Sequence, residues 1–125
     1  MASDWKRWCR DAGHRVDGDD VTVEFAASGR HHRVAVSESA DEFEFRAIAV
    51  KSGSIRVDDS LVAKLWSRNR GLHLVGIAIE DEDRIVVRAH LPVIGLTAAE
   101  FTLLVQRVAA EADRVEYILT GKDAQ

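Results

Sequence analysis

The period at which apolar residues recur changes along this chain, and that change limits the possible folds more than any other feature. From Val21 to Ala49 apolar and polar side chains alternate in runs separated by polar turns, a spacing typical of half-buried strands. From Asp58 or Asp59 the spacing becomes helical, and we expect Gly71 to end that helix in the left-handed conformation. The pattern predicts three antiparallel strands followed by a helix.

Helical spacing also marks both ends of the chain. Residues 3–12 are predicted to form a short amphipathic helix with Ser3 as its cap. Its apolar stripe consists of Trp5, Trp8, Cys9 and Ala12. Near the other end, Thr97 and Glu100 have the spacing of a capping box, and Gly121 is the expected end of the helix that follows. The stripe of this terminal helix consists of Phe101, Leu104, Val105, Val108, Ala112, Val115 and Leu119.

Two more alternating runs, residues 72–79 and 84–91, flank the acidic stretch from Glu80 to Asp83. Such a pair of runs around a short polar turn predicts a β-hairpin. With a loop of either two or four residues the antiparallel register is the same, and it places His73 opposite His90.

The predicted element order is therefore α-β-β-β-α-β-β-α. This order defines an α+β fold with a five-stranded antiparallel sheet and helices at its termini and middle. A length of 125 residues suffices for one hydrophobic core but not for two independent ones. We expect a single domain over residues 1–125.

The predicted register gives the hairpin an unusually apolar second face. That face carries His73, Val75, Ile77, Ile79, Arg84, Val86, Arg88 and His90. In a sheet with one face in water, the residues of that face should be mostly polar. We therefore expect this apolar face to be buried by a terminal helix of the same chain, by a second copy, or by a segment of a partner. The predicted dimer interface or partner-binding surface joins this face to the middle helix: Trp66, His73, Val75, Ile77, Ile79, Val86, Arg88 and His90.

Net charge and the distribution of apolar residues restrict the kinds of partner. A formal net charge of −4, with scattered lysines and arginines, argues against nucleic acid as the main partner. The sequence has no apolar run near the roughly 18 residues that cross a bilayer, and charges stand where a signal peptide would be apolar. We expect a cytoplasmic protein that binds no membrane.

Motifs that would indicate a reaction are missing from the sequence. It contains no phosphate-binding glycine loop, no nucleophile elbow and no paired cysteine or histidine motif of a zinc site. The single cysteine, Cys9, lies on the apolar stripe of the first helix and is interpreted as a core residue. His31 and His32 are strand neighbours whose side chains should point to opposite faces, so they are not expected to converge on one ligand.

An alternative function places a metal or an anion between His73 and His90, since directly opposed side chains lie about 5 Å apart. A stable metal site needs further ligands, and the neighbouring Val75 and Arg88 offer none. We therefore expect no metal and no cofactor.

Four stretches resemble the family of bacterial type III secretion chaperones and YbjN-type proteins. They are Leu65–Asn69 at the end of the middle helix, residues 72–79 and 84–91 of the hairpin, and Ala109–Asp113 in the last helix. The resemblance implies a small α+β domain that commonly dimerises, with a binding or chaperone role and no catalytic residues. The predicted function is accordingly a non-enzymatic, homodimeric domain that holds an apolar segment of a partner protein. A structural subunit of a larger assembly fits the same features.

Overall fold

The computed structural model describes residues 4–51 and 53–120. Its helices are α1 (Trp5–Asp11), α2 (Asp59–Arg70) and α3 (Ala98–Thr120). Its strands are β1 (Arg15–Asp17), β2 (Asp20–Glu24), β3 (His31–Glu38), β4 (Glu42–Val50), β5 (Gly76–Glu80) and β6 (Arg84–Pro92). The predicted caps at Ser3 and Gly121 lie outside the described residues. Within 4–51 and 53–120, no helix is both long enough and apolar enough to span a membrane.

All six strands form one antiparallel sheet in the order β1-β2-β3-β4-β6-β5. The predicted α+β class and the order of the helices and longer strands are confirmed. The sheet has six strands instead of five because residues 15–17 pair with β2 across a tight turn, where Gly18 has φ of 63°. A strand of three residues is too short to show alternation in the sequence.

Helices α1 and α3 cover one face of the sheet, and Phe101 of α3 lies at the centre of this core. Its ring centroid lies 5.0 Å from that of Phe43 and 4.9 Å from that of Phe45. Trp5 and Trp8 of α1 contact the same ring at 5.7 and 5.6 Å. Aromatic rings at these separations attract one another beyond their apolar burial, so this cluster joins α1, α3 and the sheet.

The predicted capping box of α3 is confirmed, the predicted conformation of Gly71 is wrong, and the structure adds a cap at the start of α2. The Asp58 carboxylate accepts a hydrogen bond from the Leu61 backbone N–H, which starts α2. Thr97 and Glu100 form the reciprocal bonds of a capping box at the start of α3. Gly71 follows α2 as predicted, but its φ is −95°, so the left-handed prediction is wrong. The positive φ in this region belongs to Leu74.

The predicted register of the hairpin is also wrong, by one residue. Glu82 and Asp83 both have positive φ, so the connection has three residues and Glu80 pairs with Arg84. Because side chains alternate with a period of two, a shift of one residue moves the side chains of one strand to the other face. Ile77 therefore lies opposite Val87 on the core face.

The outer face of the sheet is polar, and neither α1 nor α3, as described within residues 4–51 and 53–120, covers it. Val86 lies on this face and is nevertheless fully buried. Arg46 on β4 and Glu80 on β5 form a bidentate ion pair, and the register places Val86 of β6 between them. The ion pair crosses β6 above Val86 and provides the cover that the sequence analysis assigned to a helix or a partner.

The sheet opens between β3 and β4. Their ladder extends only from the pair Ala35↔Arg46 to the pair Glu38↔Phe43. Residues 31–34 continue along β2, whereas the end of β4 continues along β6 and bulges between Ile48 and Val50. A bulge bends a strand and increases its twist, which accounts for the divergence of the two strands.

Candidate functional site

The most distinctive surface lies at one edge of the sheet, where α2 packs beside the outermost strand β5. The side-chain amide of Asn69 donates a hydrogen bond to the Ile77 carbonyl at 2.8 Å. Its oxygen accepts one from the Ile77 N–H at 2.7 Å. One side chain thus occupies backbone groups of β5 that would otherwise be open to pairing with another strand.

Two contacts fix α2 in this position. Leu65 is buried in the core, and Arg68 forms a bidentate ion pair with Glu111 of α3, with nitrogen–oxygen distances of 2.5 and 3.0 Å. A guanidinium held by two parallel hydrogen bonds has a defined geometry. The position of α2 relative to the sheet and α3 is therefore fixed, and so is the direction in which its exposed side chains point.

Several exposed apolar side chains belong to the segments that meet at this edge, α2 and the chain from residue 74 to the end of β5. Trp66 is 64% exposed, and Val62, one turn earlier on α2, is 44% exposed. Leu74, in the segment that leads into β5, is 59% exposed, and Ile79 at the end of β5 is 38% exposed. We call Val62, Trp66, Leu74 and Ile79 the edge patch. Exposed apolar groups of this size, on neighbouring elements, are typical of interaction sites.

The structure does not place the predicted interface residues on one face. Trp66 and Ile79 belong to the edge patch, whereas Val75 and Ile77 pack against the core. Val86 is buried beneath the Arg46–Glu80 ion pair. The two remaining strand residues, Arg88 and His90, lie on the outer face. An aspartate at Ile77 or Val86 would therefore test folding, not association.

The histidine pair of the alternative function is not formed. His73 lies before β5, where it lines a small cavity of about 410 Å³ together with Arg107 and Arg114. His90 lies on the outer face, with its Nε2 atom 3.9 and 3.8 Å from carboxylate oxygens of Glu42 and Glu44. The prediction that the two histidines lie opposite each other depended on the wrong register. The structure therefore does not form the ligand site proposed between them.

A larger cavity of about 700 Å³ lies where β3 and β4 separate. Its lining includes Ile48, Ile55 and Leu119, with Arg46 and Lys51 among its charged residues. Because the strands diverge here, residues from both faces of the sheet reach the same space. No local pattern in the sequence indicates this opening, since it arises from pairing between distant segments.

His32 lines this cavity, although its position in the sequence did not predict a binding role. Its ring bridges the opening, with Nε2 lying 2.7 Å from the carbonyl oxygen of Ile48 on β4. Burial lowers the pKa of His32, which favours the neutral imidazole. Asp113 and Glu116, three residues apart on α3, lie near the ring. That spacing on the predicted terminal helix was the available signal, since it places both carboxylates on one helix face.

The fold is shared with solved structures. A chain of the heterodimeric complex ExoU–SpcU from the type III secretion system of Pseudomonas aeruginosa has a TM-score of 0.59 at 18% identity, covering 94% of this chain and 98% of that one. For the Yersinia pestis type III secretion chaperone SycH in complex with a fragment of YscM2, the TM-score is 0.53 at 11% identity, covering 86% and 92%. YbjN from E. coli has a TM-score of 0.56 at 17% identity, covering 93% and 86%.

These similarities define the fold class. The chain has the fold of type III secretion chaperones and of YbjN, as the sequence resemblance indicated. At these identities the similarity is one of fold alone. No family model matches the sequence, and no curated protein matches it at a significant level.

Proposed function

We propose that this chain is a cytoplasmic, non-enzymatic, chaperone-like domain that forms a homodimer through the edge patch and holds an apolar segment of a partner protein. The observation that carries the proposal is the exposure of Trp66, at 64%, on a helix fixed to the rim of the sheet. Solved structures with this fold include complexes of a secretion protein with a second protein, which supports a role in protein binding.

The chemistry of the edge patch favours a second copy of this chain as its occupant. Its four side chains are uncharged, and tryptophan is the residue type most enriched among those that dominate binding energy. Asn69 already blocks part of the β5 edge, so the patch would associate through side chains and not by extending the sheet. A two-fold axis through the patch would place α2 of one protomer against α2 of the other.

The oligomeric state tests the homodimer. Sedimentation velocity at tens of micromolar should give a dimer for the wild type and a monomer for Trp66→Asp and for Val62→Asp, since an unpaired charge buried in an interface is strongly unfavourable. Leu103→Asp is the matched control, because Leu103 is 41% exposed on α3 and is not one of the four patch residues. A monomeric wild type, or dimers of both patch variants, would refute the homodimer.

The partner segment is tested separately by selecting peptides that bind the wild-type protein. Burial of apolar side chains should give calorimetric binding with a negative heat-capacity change and an affinity that survives high salt. Selected peptides that are uniformly basic, with affinities that collapse at high salt, would contradict an apolar partner.

A further inference from the structure

Three side chains of types that can bind a metal, His32, Asp113 and Glu116, lie close together beside the large cavity between β3 and β4, and His32 and Glu116 are part of its lining. One ligand atom from each lies within 4.8 Å of the other two. The residues are 6%, 9% and 8% exposed, so the group belongs to the interior and not to a solvated acidic surface. Carboxylates are rarely buried to this extent unless a cation or a strong donor accompanies them.

The orientation of the His32 ring is fixed by its bond to Ile48. A carbonyl oxygen can only accept a hydrogen bond, so Nε2, at 2.7 Å from it, carries the proton. The other nitrogen, Nδ1, is buried and has no hydrogen-bond partner among residues 4–51 and 53–120. Histidines that bind metals typically donate one ring N–H to a carbonyl or carboxylate, which directs the other nitrogen at the ion.

The carboxylates are positioned by elements other than the strand that carries His32. Asp113 and Glu116 share one face of α3. Arg30 holds both oxygens of Asp113, at 3.2 and 2.7 Å, which orients this carboxylate and offsets its charge. A carboxylate held in this way can still share an oxygen with a cation, as outer-shell donors to metal-bound carboxylates commonly do.

We propose that His32, Asp113 and Glu116 form a binding site for a divalent transition-metal ion beside this cavity, at the side lined by His32 and Glu116. One imidazole and two carboxylates suit zinc, cobalt or manganese better than calcium, which prefers oxygen ligands alone. Three protein ligands leave at least one coordination position open towards the cavity. The site joins β3 to α3 and is independent of the edge patch.

Titration of the chelator-treated protein with Co²⁺ and with Zn²⁺ tests the site. Co²⁺ should bind at one equivalent with visible absorption bands of a nitrogen- and oxygen-ligated ion, and Zn²⁺ should displace it. His32→Gln, which keeps a donor for the Ile48 carbonyl, and Glu116→Gln should each weaken binding by about 10-fold or more. Wild-type protein should also unfold at a higher temperature with Zn²⁺, and both variants should show a smaller shift at the same Zn²⁺ concentration.

His90→Gln is the matched control, because His90 also lies beside two carboxylates but on the exposed outer face. It should bind Co²⁺ as the wild type does. Binding that survives His32→Gln and is lost in His90→Gln would show an adventitious surface ion and overturn the site, as would the absence of one-equivalent binding in the wild type. Should His32→Gln fail to fold, Glu116→Gln alone decides between the two outcomes.

Discussion

Asn69 pairs with Ile77 as a residue of a neighbouring strand would, donating to its carbonyl at 2.8 Å and accepting from its N–H at 2.7 Å. The two residues are eight positions apart, and the loop between α2 and β5 returns the chain so that the end of the helix meets the start of the edge strand. A single side chain thereby fastens α2 to the sheet and protects β5 from pairing with another strand.

Asn69→Ala should lower the free energy of unfolding by about 1–3 kcal/mol, because it leaves a half-buried N–H and carbonyl without their partner. Urea denaturation measures the change. Ser67→Ala, at an exposed position of the same helix, should stay within about 0.5 kcal/mol of the wild type. Equal stability of the two variants would contradict the role assigned to the Asn69 amide.

The Arg46–Glu80 ion pair should make stability depend on pH. Hydrogen bonding to the Arg46 guanidinium lowers the pKa of the Glu80 carboxyl below its ordinary value of 4.5. Because the folded pKa lies below the unfolded one, the pair stabilises the protein above pH 4.5, and this contribution is lost as the pH falls through the folded pKa.

Chemical denaturation of the wild type and Glu80→Gln across this pH range measures the effect. The wild type should be the more stable at neutral pH, and the difference should shrink in acid. Glu82→Gln removes the same charge from an exposed residue of the adjacent turn and controls for net charge. A wild-type advantage that stays constant down to the lowest pH would count against the ion pair.

Cys9 should be unreactive in the native protein. It is fully buried, and burial raises the pKa of its thiol to about 11, so little thiolate forms at pH 8. The rate of labelling with a thiol reagent should therefore depend on unfolding. Asn69→Ala, which is expected to destabilise the protein, should increase this rate. The chain has one cysteine, so each labelling event reports on this site. Rapid, complete labelling of the folded wild type would be inconsistent with this burial.

Phe101→Ala should cost about 3–5 kcal/mol, because it removes the ring that α1, α3 and the sheet share. Thermal or urea unfolding gives the loss directly. Leu103→Ala, two residues away but exposed, should change stability by about 0.5 kcal/mol. A similar loss in both variants would show that the aromatic cluster is not the centre of the core.

Periodicity predicted the long elements well because each one buries a single stripe or a single face. Val21, Phe45 and Phe101 all lie in the core where their spacing placed them. Periodicity could not predict the register of the hairpin, because the register depends on the positive φ of Glu82 and Asp83. Neither residue type indicates a three-residue turn. One residue of difference then exchanged the faces assigned to Ile77 and Ala78.

The sequence predicted part of the edge patch but not the cluster of His32, Asp113 and Glu116. Trp66 was predicted at an interface, and the structure exposes it on α2, although whether it contacts a partner remains a prediction. Neighbouring strand residues face opposite sides, and His31 is exposed whereas His32 is buried, but both line the cavity where the sheet opens. The alternation of strand residues did not reveal that His32 meets Asp113 and Glu116, since that meeting requires α3 to cross the place where the sheet opens.

The ladder between β3 and β4 has four residue pairs, against eight between β4 and β6, and we expect the sheet to open there into two units, β1-β2-β3 and β4-β6-β5. Amide hydrogen exchange commonly reports such units as parts of a protein that open with different free energies. Helix α3 packs on β2 and β3 as well as on β4 and β6, and so connects the two units. A change on the buried stripe of α3 should therefore loosen the connection between the units before either one unfolds, and the seam between β3 and β4 should exchange first.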